Sequence, residues 1–399
     1  LRVRSGVVEA LGVEIRPRNH VVVRAGKALP LTAVGSSNLE LTLGENASAE
    51  PIEPELFPEA WRSALRELVA ERAPSVAVLG GTDSGKTTFC TMLANAALRA
   101  GLGAAFIDGD VGQAELAAPT TVSMILLRKQ VTDLFPLTPD EACFVGATSP
   151  AALPGRLIEA LEKLYHAAEK RAGLIVLNLD GWVEGPAAVE HKTEVISRLR
   201  PQVCVVLQPS SDLYDLTEVI GRIGCKVLTL PVPPLIRKRS REERRRLRQL
   251  GYRKELGGSS CRTIRLGQIR LTGAIFGGGA PLAQGRLEQL STLLGRRVLY
   301  GEEQATGLTV VVDEHRSSAQ RPEPPPAESA PEARMMPAGF ERGLLAGLLG
   351  RRGQLLSLGL IEEIDYTRGV IRVLTRYKGP IDAIELGQVR LDRDCRELT

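Results

Sequence analysis

Through the middle of the chain, short apolar runs alternate with longer stretches whose apolar residues recur at helical spacing. Residues 76–79, 104–107, 142–145, 174–179, 203–208 and 226–230 have the length and composition of buried strands. Residues 88–98 and 155–168 carry the helical spacing between them. That alternation predicts an α/β core, a parallel sheet covered by helices on both faces. The ends of the chain read differently. Val3, Val7 and Val8, then Val13 and Ile15, then residues 21–23 and 39–43, are short strand patterns divided by Gly, Pro, Asn and Ser. Residues 51–57 are a proline-broken connector, and 61–71 an amphipathic helix on which Trp61 is a packing residue. Beyond the core, residues 261–273, 307–312, 355–364, 369–375 and 384–391 return to strand alternation. Residues 264–271 echo residues 384–391, which suggests paired or symmetric strands.

Three domains follow: a small β-rich module at 1–55, a core at 56–254 and a β-rich domain at 255–399. Residues 317–337 are rich in Pro, Ala, Glu and Ser and cannot bury a core, so they are expected as a mobile tether inserted in the last domain.

The length of 399 residues favours several domains over one, and 43% hydrophobic with 25% charged residues is ordinary for a globular protein. No run approaches the roughly 18 unbroken apolar residues of a membrane span, and no leader pattern is seen, so a cytoplasmic protein with no membrane partner is expected. The six cysteines lack a C-x-x-C pair and read as buried thiols of a reducing compartment. None of the four histidines is spaced with another ligand, which argues against an imidazole-held catalytic metal. At a net charge of +4, attraction for nucleic acid must come from local clusters. The most basic segment is 237–248, where Arg244 and Arg248 would share a helix face with Arg241 one turn earlier. Such a face suits a triphosphate or a nucleic-acid backbone, and equally a solvated helix surface.

The sharpest chemical signal follows the first core strand. Gly80, Gly81, Thr82, Asp83, Ser84, Gly85, Lys86 and Thr87 fit G-x-x-x-x-G-K-[ST], with Thr88 opening a helix. Glycines let backbone N–H groups converge on phosphate oxygens, and the helix points its positive end at them. Lys86 would reach the outer phosphates, and the Thr87 hydroxyl would ligate Mg²⁺. The expected ligands are therefore a nucleoside triphosphate and Mg²⁺. The next strand ends in Asp108-Gly-Asp110-Val-Gly-Gln113, carboxylates placed to meet Mg²⁺ or to accept a proton from an attacking hydroxyl. Trp182 stands in a polar, glycine-flanked loop after Asp180, either as a platform for a base or as a folded-back loop anchor.

Taken in order, these elements resemble the polynucleotide 5′-hydroxyl kinase family, which includes the kinase of the mRNA cleavage factor and relatives in ribosomal RNA processing. The resemblance covers residues 76–251. Residues 80–88 resemble the family's Walker A, and 108–113 its D-x-D-x-G-Q element, whose second aspartate is assigned to activating the acceptor hydroxyl and falls on Asp110. Residues 146–150, with Thr148, Ser149 and Pro150, resemble the clasp that holds the substrate near its 5′ end. Residues 178–182 are similar to a segment whose tryptophan stacks on a substrate base, here Trp182. Arg239, Arg244 and Arg248 resemble the arginines of the lid. Leu179 departs from the pattern where threonine is common, and Asp180 adds a carboxylate, which leaves the metal ligand open between Asp110, Asp108 and Asp180.

The resemblance implies transfer of the γ-phosphate of ATP to single-stranded or frayed 5′-hydroxyl ends of RNA, with DNA as a further acceptor. It places Lys86, Asp110 and the lid arginines in the chemistry, with Gln113, Thr148, Ser149, Pro150 and Trp182 on the substrate. The terminal β domains are the expected places for protein partners. The alternatives are a switch or assembly ATPase, and a scaffold that keeps ATP bound. No N-K-x-D guanine signature is present, and Gly81 occupies the position of the early lysine of the partner-activated class.

Overall fold

Three strands open the chain. They are β1 (Arg2–Ala10), β2 (Val13–Ile15) and β3 (Thr32–Glu40), paired antiparallel in the order β2-β1-β3. Gly6 lies where the β1–β3 register shifts; its φ is +79°, and a Cβ there would come within 2.4 Å of the Ser36 carbonyl oxygen. Residues 21–23, expected as a strand, form none: Val22 and Val23 are exposed, and the apolar run borders a cavity instead of a sheet neighbour. β3 likewise starts well before the apolar run at 39–43.

The computed structural model describes the chain apart from residues 53–55, 209–212, 236, 274–278, 305–306, 314–332 and 399. Its contacts divide into two compact units, Leu1–Gly251 and Tyr252–Thr399.

After the first sheet come α1 (Glu59–Ala70), β4 (Ser75–Gly80), α2 (Lys86–Arg99), β5 (Ala104–Asp108), β6 (Thr121–Leu127) and β7 (Glu141–Phe144). Then follow α3 (Pro154–Glu169), β8 (Leu174–Asn178), α4 (Pro186–Leu199), β9 (Val203–Gln208), α5 (Tyr214–Arg222), β10 (Lys226–Pro231) and α6 (Arg241–Leu256). The strands β4 to β10 make one seven-stranded sheet in the order β10-β9-β4-β8-β5-β6-β7. Five strands are parallel, as the alternating pattern predicts. The β6–β7 edge is not. β6 runs antiparallel to β5, and β7 antiparallel to β6. The cause is the connection: residues 109–120 supply a loop with no helix, and a parallel return needs a crossover.

β4 shows why the sheet is covered twice. Successive side chains face opposite ways. Val76 and Val78 pack with Trp61, Leu65, Phe89 and Leu93 of α1 and α2. Ala77 and Leu79 join the other core, with Leu157, Leu161 and Ile196 of α3 and α4. Trp61 is fully buried, stacked on Phe57 at 5.5 Å and edge-on to Phe89 at 5.1 Å, and its indole N–H donates to the Pro231 carbonyl at 2.8 Å. It is a packing residue, with its polar atom satisfied.

The second unit contains β11 (Ser260–Arg265), β12 (Arg270–Gly273), β13 (Ala280–Pro281), α7 (Gln284–Leu294), β14 (Val298–Gln304) and β15 (Gly307–Val312). It ends with β16 (Ala333–Pro337), β17 (Leu344–Leu349), β18 (Leu355–Asp365), β19 (Val370–Thr375) and β20 (Ala383–Arg390). They form a six-stranded sheet, β11-β19-β18-β17-β20-β12, and a four-stranded one, β13-β14-β15-β16, against which α7 packs. The echoed segments are neighbours, since β12 pairs in parallel with β20 and aligns Leu271 with Ile384. Their conformations differ: a 3-10 turn at Leu266–Gln268 interrupts the first copy, while the second is continuous. The expected tether at 317–337 needs a correction at its end. Residues 333–337 form β16, paired with β15, because Met335 and Met336 bring strand-compatible side chains past the proline-rich part; residues 317–332 lie outside the described residues.

Among the described residues, no helix is long and apolar enough to cross a membrane. The six cysteines are free, but not all are buried: Cys90, Cys204 and Cys395 are, Cys143 and Cys225 are half-buried, and Cys261 is exposed.

Candidate active site

The loop between β4 and α2 is shaped by two glycines. Gly80 has φ +152°, and a Cβ on it would stand 2.6 Å from the Leu207 carbonyl oxygen of the neighbouring strand. Gly85 caps α2 in the left-handed region with φ +94°. No side chain caps that helix, so its first N–H groups are left for a ligand. Lys86 is buried and donates from Nζ to the Gly81 carbonyl at 2.8 Å. Burial pushes its pKa down, and the carboxylates of Asp110 and Asp180 pull it back up. The side-chain amide of Asn178, at the end of β8, donates to Thr87 Oγ1 at 3.3 Å and to Asp108 Oδ1 at 3.1 Å.

The three aspartates are held differently. Asp108 is fully buried, and its Oδ2 accepts from the backbone N–H groups of Glu115 at 2.7 Å and Leu116 at 3.1 Å. Asp180 is also buried; its Oδ2 lies 2.5 Å from Lys192 Nζ, and its Oδ1 accepts from the Trp182 N–H at 2.9 Å. Asp110 accepts at Oδ1 from the N–H groups of Gly112 at 3.1 Å and Gln113 at 2.9 Å. Its Oδ2 has no hydrogen-bond partner among the described residues. Burial raises the carboxyls of both Asp108 and Asp110 to about 6, against their hydrogen bonds and, for Asp110, the nearby Lys86 ammonium.

The clasp-like segment meets the acidic loop through backbone. A Cβ on Gly112 would lie 2.7 Å from the Thr148 carbonyl oxygen, so glycine permits the approach. The N–H groups of Val145 and Gly146 both donate to the Thr120 carbonyl, which sets the turn into Thr148. Ser149 is exposed, and Pro150 opens a 3-10 turn. On the opposite flank, Gly181 abuts the phosphate loop, where a Cβ would come 2.7 Å from Thr82 Oγ1. Trp182 follows, half-buried, with its ring centroid 5.6 Å from that of His191.

The basic segment closes over the loop. Arg239 donates from its backbone N–H to Asp83 Oδ2 at 3.0 Å and from its guanidinium to Oδ1 at 3.4 Å. Arg244, on α6, donates to Asp83 Oδ2 at 2.8 Å. The Nε atoms of both arginines are buried without a partner among the described residues. Arg248 lies one turn further along α6.

A cavity of about 260 Å³ gathers most of these groups. Thr82, Asp83, Ser84, Gly85, Lys86, Thr87, Thr88, Asp110, Gln113 and Arg239 line it. Gly80, Thr148, Ser149, Pro150, Trp182, Arg244 and Arg248 stand outside its lining; Arg244 is joined to it through Asp83, and Thr148 lies against Gly112, which precedes the lining residue Gln113. Four charged residues bordering the cavity escaped sequence reasoning. Arg24 and Lys27, from the turn before β3, pair with Asp133 and Glu115 of the core. Arg24 reaches Asp133 at 2.5 and 2.8 Å and Glu115 at 3.2 Å, with its guanidinium 3.9 Å above the Phe135 ring. Lys27 contacts Glu115, and burial beside Arg239 and Arg24 pushes its pKa down to about 7. The one usable signal was Arg24-Ala-Gly-Lys27, a charged turn interrupting an apolar run.

No group of three or more His, Cys, Asp or Glu side chains is arranged to hold a metal among the described residues. Thr87 and Asp110, both in the cavity lining, bring a hydroxyl and a carboxylate, the oxygen donors that suit Mg²⁺ when substrate phosphates supply the rest.

The sequence model of the family described as mRNA cleavage and polyadenylation factor CLP1 P-loop matches residues 80–254. Those residues are thus similar to the CLP1 P-loop family. The CLP1-type segment starts at Gly80 and runs through the lid helix, so it contains each of the predicted site residues. Similarity to whole proteins reaches further. A polyribonucleotide 5′-hydroxyl-kinase of Pyrococcus horikoshii is 28% identical over 344 residues, covering 86% of this chain and 92% of its own. One of Methanocaldococcus jannaschii is 26% identical over 347 residues, covering 86% and 94%. Among solved structures, Clp1p in a Clp1p–Pcf11p complex superposes with a TM-score of 0.65 over 98% of this chain and 92% of that one. At 15% identity it shows a shared fold, with β-rich regions on either side of the CLP1-type core.

Proposed function

We propose that this protein transfers the γ-phosphate of ATP to the 5′-hydroxyl end of RNA. The observation that carries the reading is one cavity shared by a phosphate loop and a carboxylate with an open oxygen, Asp110. A carboxyl raised to about 6 is a better proton acceptor near neutral pH than an ordinary aspartate. The names of the archaeal relatives, which cover most of this chain, support RNA as acceptor.

In this reading Lys86 and the open N–H groups of α2 hold the outer phosphates, and Arg239, Arg244 and Arg248 offset charge on the moving phosphoryl group. Asp110 Oδ2 accepts the proton of the 5′-hydroxyl as its oxygen bonds to the γ-phosphorus and the bond to the β-phosphate oxygen breaks. Thr87 and Asp110 are the residues that would hold Mg²⁺, which when bound neutralises phosphate charge. Gln113, Thr148, Ser149 and Pro150 place the terminal nucleotide, and Trp182 stacks on a base, which selects single-stranded or frayed ends with little sequence preference. The terminal β sheets are the surfaces we assign to protein partners, by analogy with the fold of Clp1p in complex with Pcf11p.

The test is transfer of labelled γ-phosphate from ATP to a 5′-hydroxyl RNA oligonucleotide, with a 5′-phosphorylated control and a DNA oligonucleotide alongside. Label on the hydroxyl ends alone is expected, and the DNA arm reports acceptor range. ATP hydrolysis without labelled RNA would replace this reading with a switch ATPase.

A further inference from the structure

Asp180 follows the strand next to the phosphate loop, where a metal-binding carboxylate would also sit. Its surroundings suit another task. Both of its oxygens are engaged inside the protein, one by Lys192 Nζ at 2.5 Å and one by the Trp182 N–H at 2.9 Å. The Lys192 side chain is 0% exposed and that of Asp180 3%, so this ion pair is sealed from water. An ammonium group at that distance repels a divalent cation, and Asp180 does not line the phosphate cavity.

The pair anchors a turn that has little freedom. Gly181 is wedged against Thr82, with no room for a Cβ: that atom would stand 2.7 Å from Oγ1 and 2.9 Å from both Cα and N of Thr82. The next residue is Trp182. Its ring packs 5.6 Å from His191, which precedes Lys192 on α4 and is itself buried with neither ring nitrogen hydrogen-bonded among the described residues. Adjacent residues of one helix thus hold the turn twice, Lys192 by charge and His191 by ring packing. We propose that Asp180 is a positioning residue for acceptor binding: locked by Lys192, it fixes the 180–182 turn so that Trp182 stands at a set place beside the phosphate loop. This rests on the reading of Trp182 as a base platform.

A buried ion pair is costly to break from one side, because the remaining charge is left unpaired, whereas an apolar pair of similar size is often tolerated. Three variants therefore separate the effects: Lys192→Met, Asp180→Asn, and Asp180→Leu with Lys192→Met, the last keeping the interior neutral and removing the Trp182 N–H acceptor. Binding of a fluorescent 5′-hydroxyl oligoribonucleotide is measured without turnover, beside ATP binding and the Mg²⁺ concentration for half-maximal nucleotide binding. The doubly substituted protein should fold, bind the oligonucleotide about tenfold more weakly and keep its ATP and Mg²⁺ dependence, a loss on the scale of one stacking contact. A raised Mg²⁺ requirement in Asp180→Asn that is absent in Lys192→Met would overturn the proposal in favour of a metal ligand. Unchanged oligonucleotide binding in the double variant, where Trp182→Ala weakens it, would overturn it as well. The emission component that disappears in Trp182→Phe provides an independent readout. Its red shift in the double variant supports the positioning role even where Trp182→Ala leaves oligonucleotide binding intact, a result that would remove only the base-stacking reading; an unshifted component in the double variant overturns the positioning role.

Discussion

Arg244 donates to Asp83 Oδ2 at 2.8 Å, and so ties the lid helix to the rim of the phosphate loop. Arg239 adds two donors to the same carboxylate, one of them from its backbone, so main chain as well as side chain is fixed. Both guanidinium groups keep a buried Nε–H without an acceptor among the described residues. A buried donor without a partner is unfavourable, and a phosphate oxygen entering the cavity is the acceptor that would relieve it. Under the proposed function, Asp83 therefore holds Arg239 and Arg244 in place before nucleotide arrives.

The first prediction follows from that contact. Asp83 has φ +59°, which asparagine tolerates, so Asp83→Asn removes the charge without straining the loop. Losing charge-assisted hydrogen bonds of about 1.5 kcal/mol should lower kcat roughly tenfold. ATP affinity should change little, since Lys86 and the helix N-terminus remain. Steady-state kinetics with separate titrations of ATP and RNA give the split. A raised kcat would mean that Asp83 competes with phosphate for the arginines.

Asp110→Asn keeps the backbone hydrogen bonds that shape residues 110–113, because the amide oxygen still accepts from Gly112 and Gln113. It removes the proton acceptor. Transfer should fall by about two orders of magnitude or more, with ATP binding retained. Lys86→Ala should lose transfer and nucleotide affinity together, since the proposed function sets Lys86 on the phosphates. Equilibrium nucleotide binding beside single-turnover transfer separates the two. Full transfer by Asp110→Asn would remove Asp110 from its assigned role.

The raised carboxyl of Asp110 also makes a pH prediction. The base form is present above about 6 and is lost below it, so kcat/KM should fall about tenfold per pH unit on the acid side. The stability effect has the opposite sense. Because the folded-state pKa lies above the ordinary 3.8, the native state binds more protons than the unfolded chain between the two values. The contribution of Asp110 to stability is then most favourable below the ordinary value and diminishes as pH rises to about 6. Asp110→Asn should accordingly melt higher than the parent at neutral pH and lose that advantage near pH 4. Melting curves at the two pH values check the sign.

Those predictions touch residues that the sequence displayed openly, and the reason is contiguity. The phosphate loop is a single run from Gly80 to Thr88, and Asp110 follows the next strand, so local pattern alone sufficed to find them. The strand β6 was missed because its loop at 109–120 does not look like a strand-to-strand turn. Asp83 and Arg239 lie 156 positions apart, and no periodicity links them. Asp180 and Lys192 are only 12 apart, yet their pairing depends on where α4 begins. Arg24 and Lys27 were overlooked for a plainer reason: a short charged turn, even one that interrupts an apolar run, reads as solvated unless the surface that receives it is known.

That turn supplies the last prediction. Arg24 binds Asp133 through two nitrogens, at 2.5 and 2.8 Å, and lies over Phe135, with side-chain exposures of only 18% and 22% for the two charged partners. Such a pair is dry enough to matter, and its forked geometry fixes direction as well as distance. Arg24→Ala would leave Asp133 partly buried with its remaining partner, the Phe135 N–H at 3.1 Å. A loss of about 2 kcal/mol is expected, in the range for hydrogen bonds to charged groups. Since Lys27 enters the cavity three residues later, the KM for ATP should rise with it. Arg24→Lys should restore only part of the loss, because one ammonium group cannot reproduce the fork. Faster amide exchange confined to β1–β3, together with the raised KM, would place the effect in the seating of the first sheet. A lowered melting temperature with an unchanged KM would instead restrict Arg24 to stability.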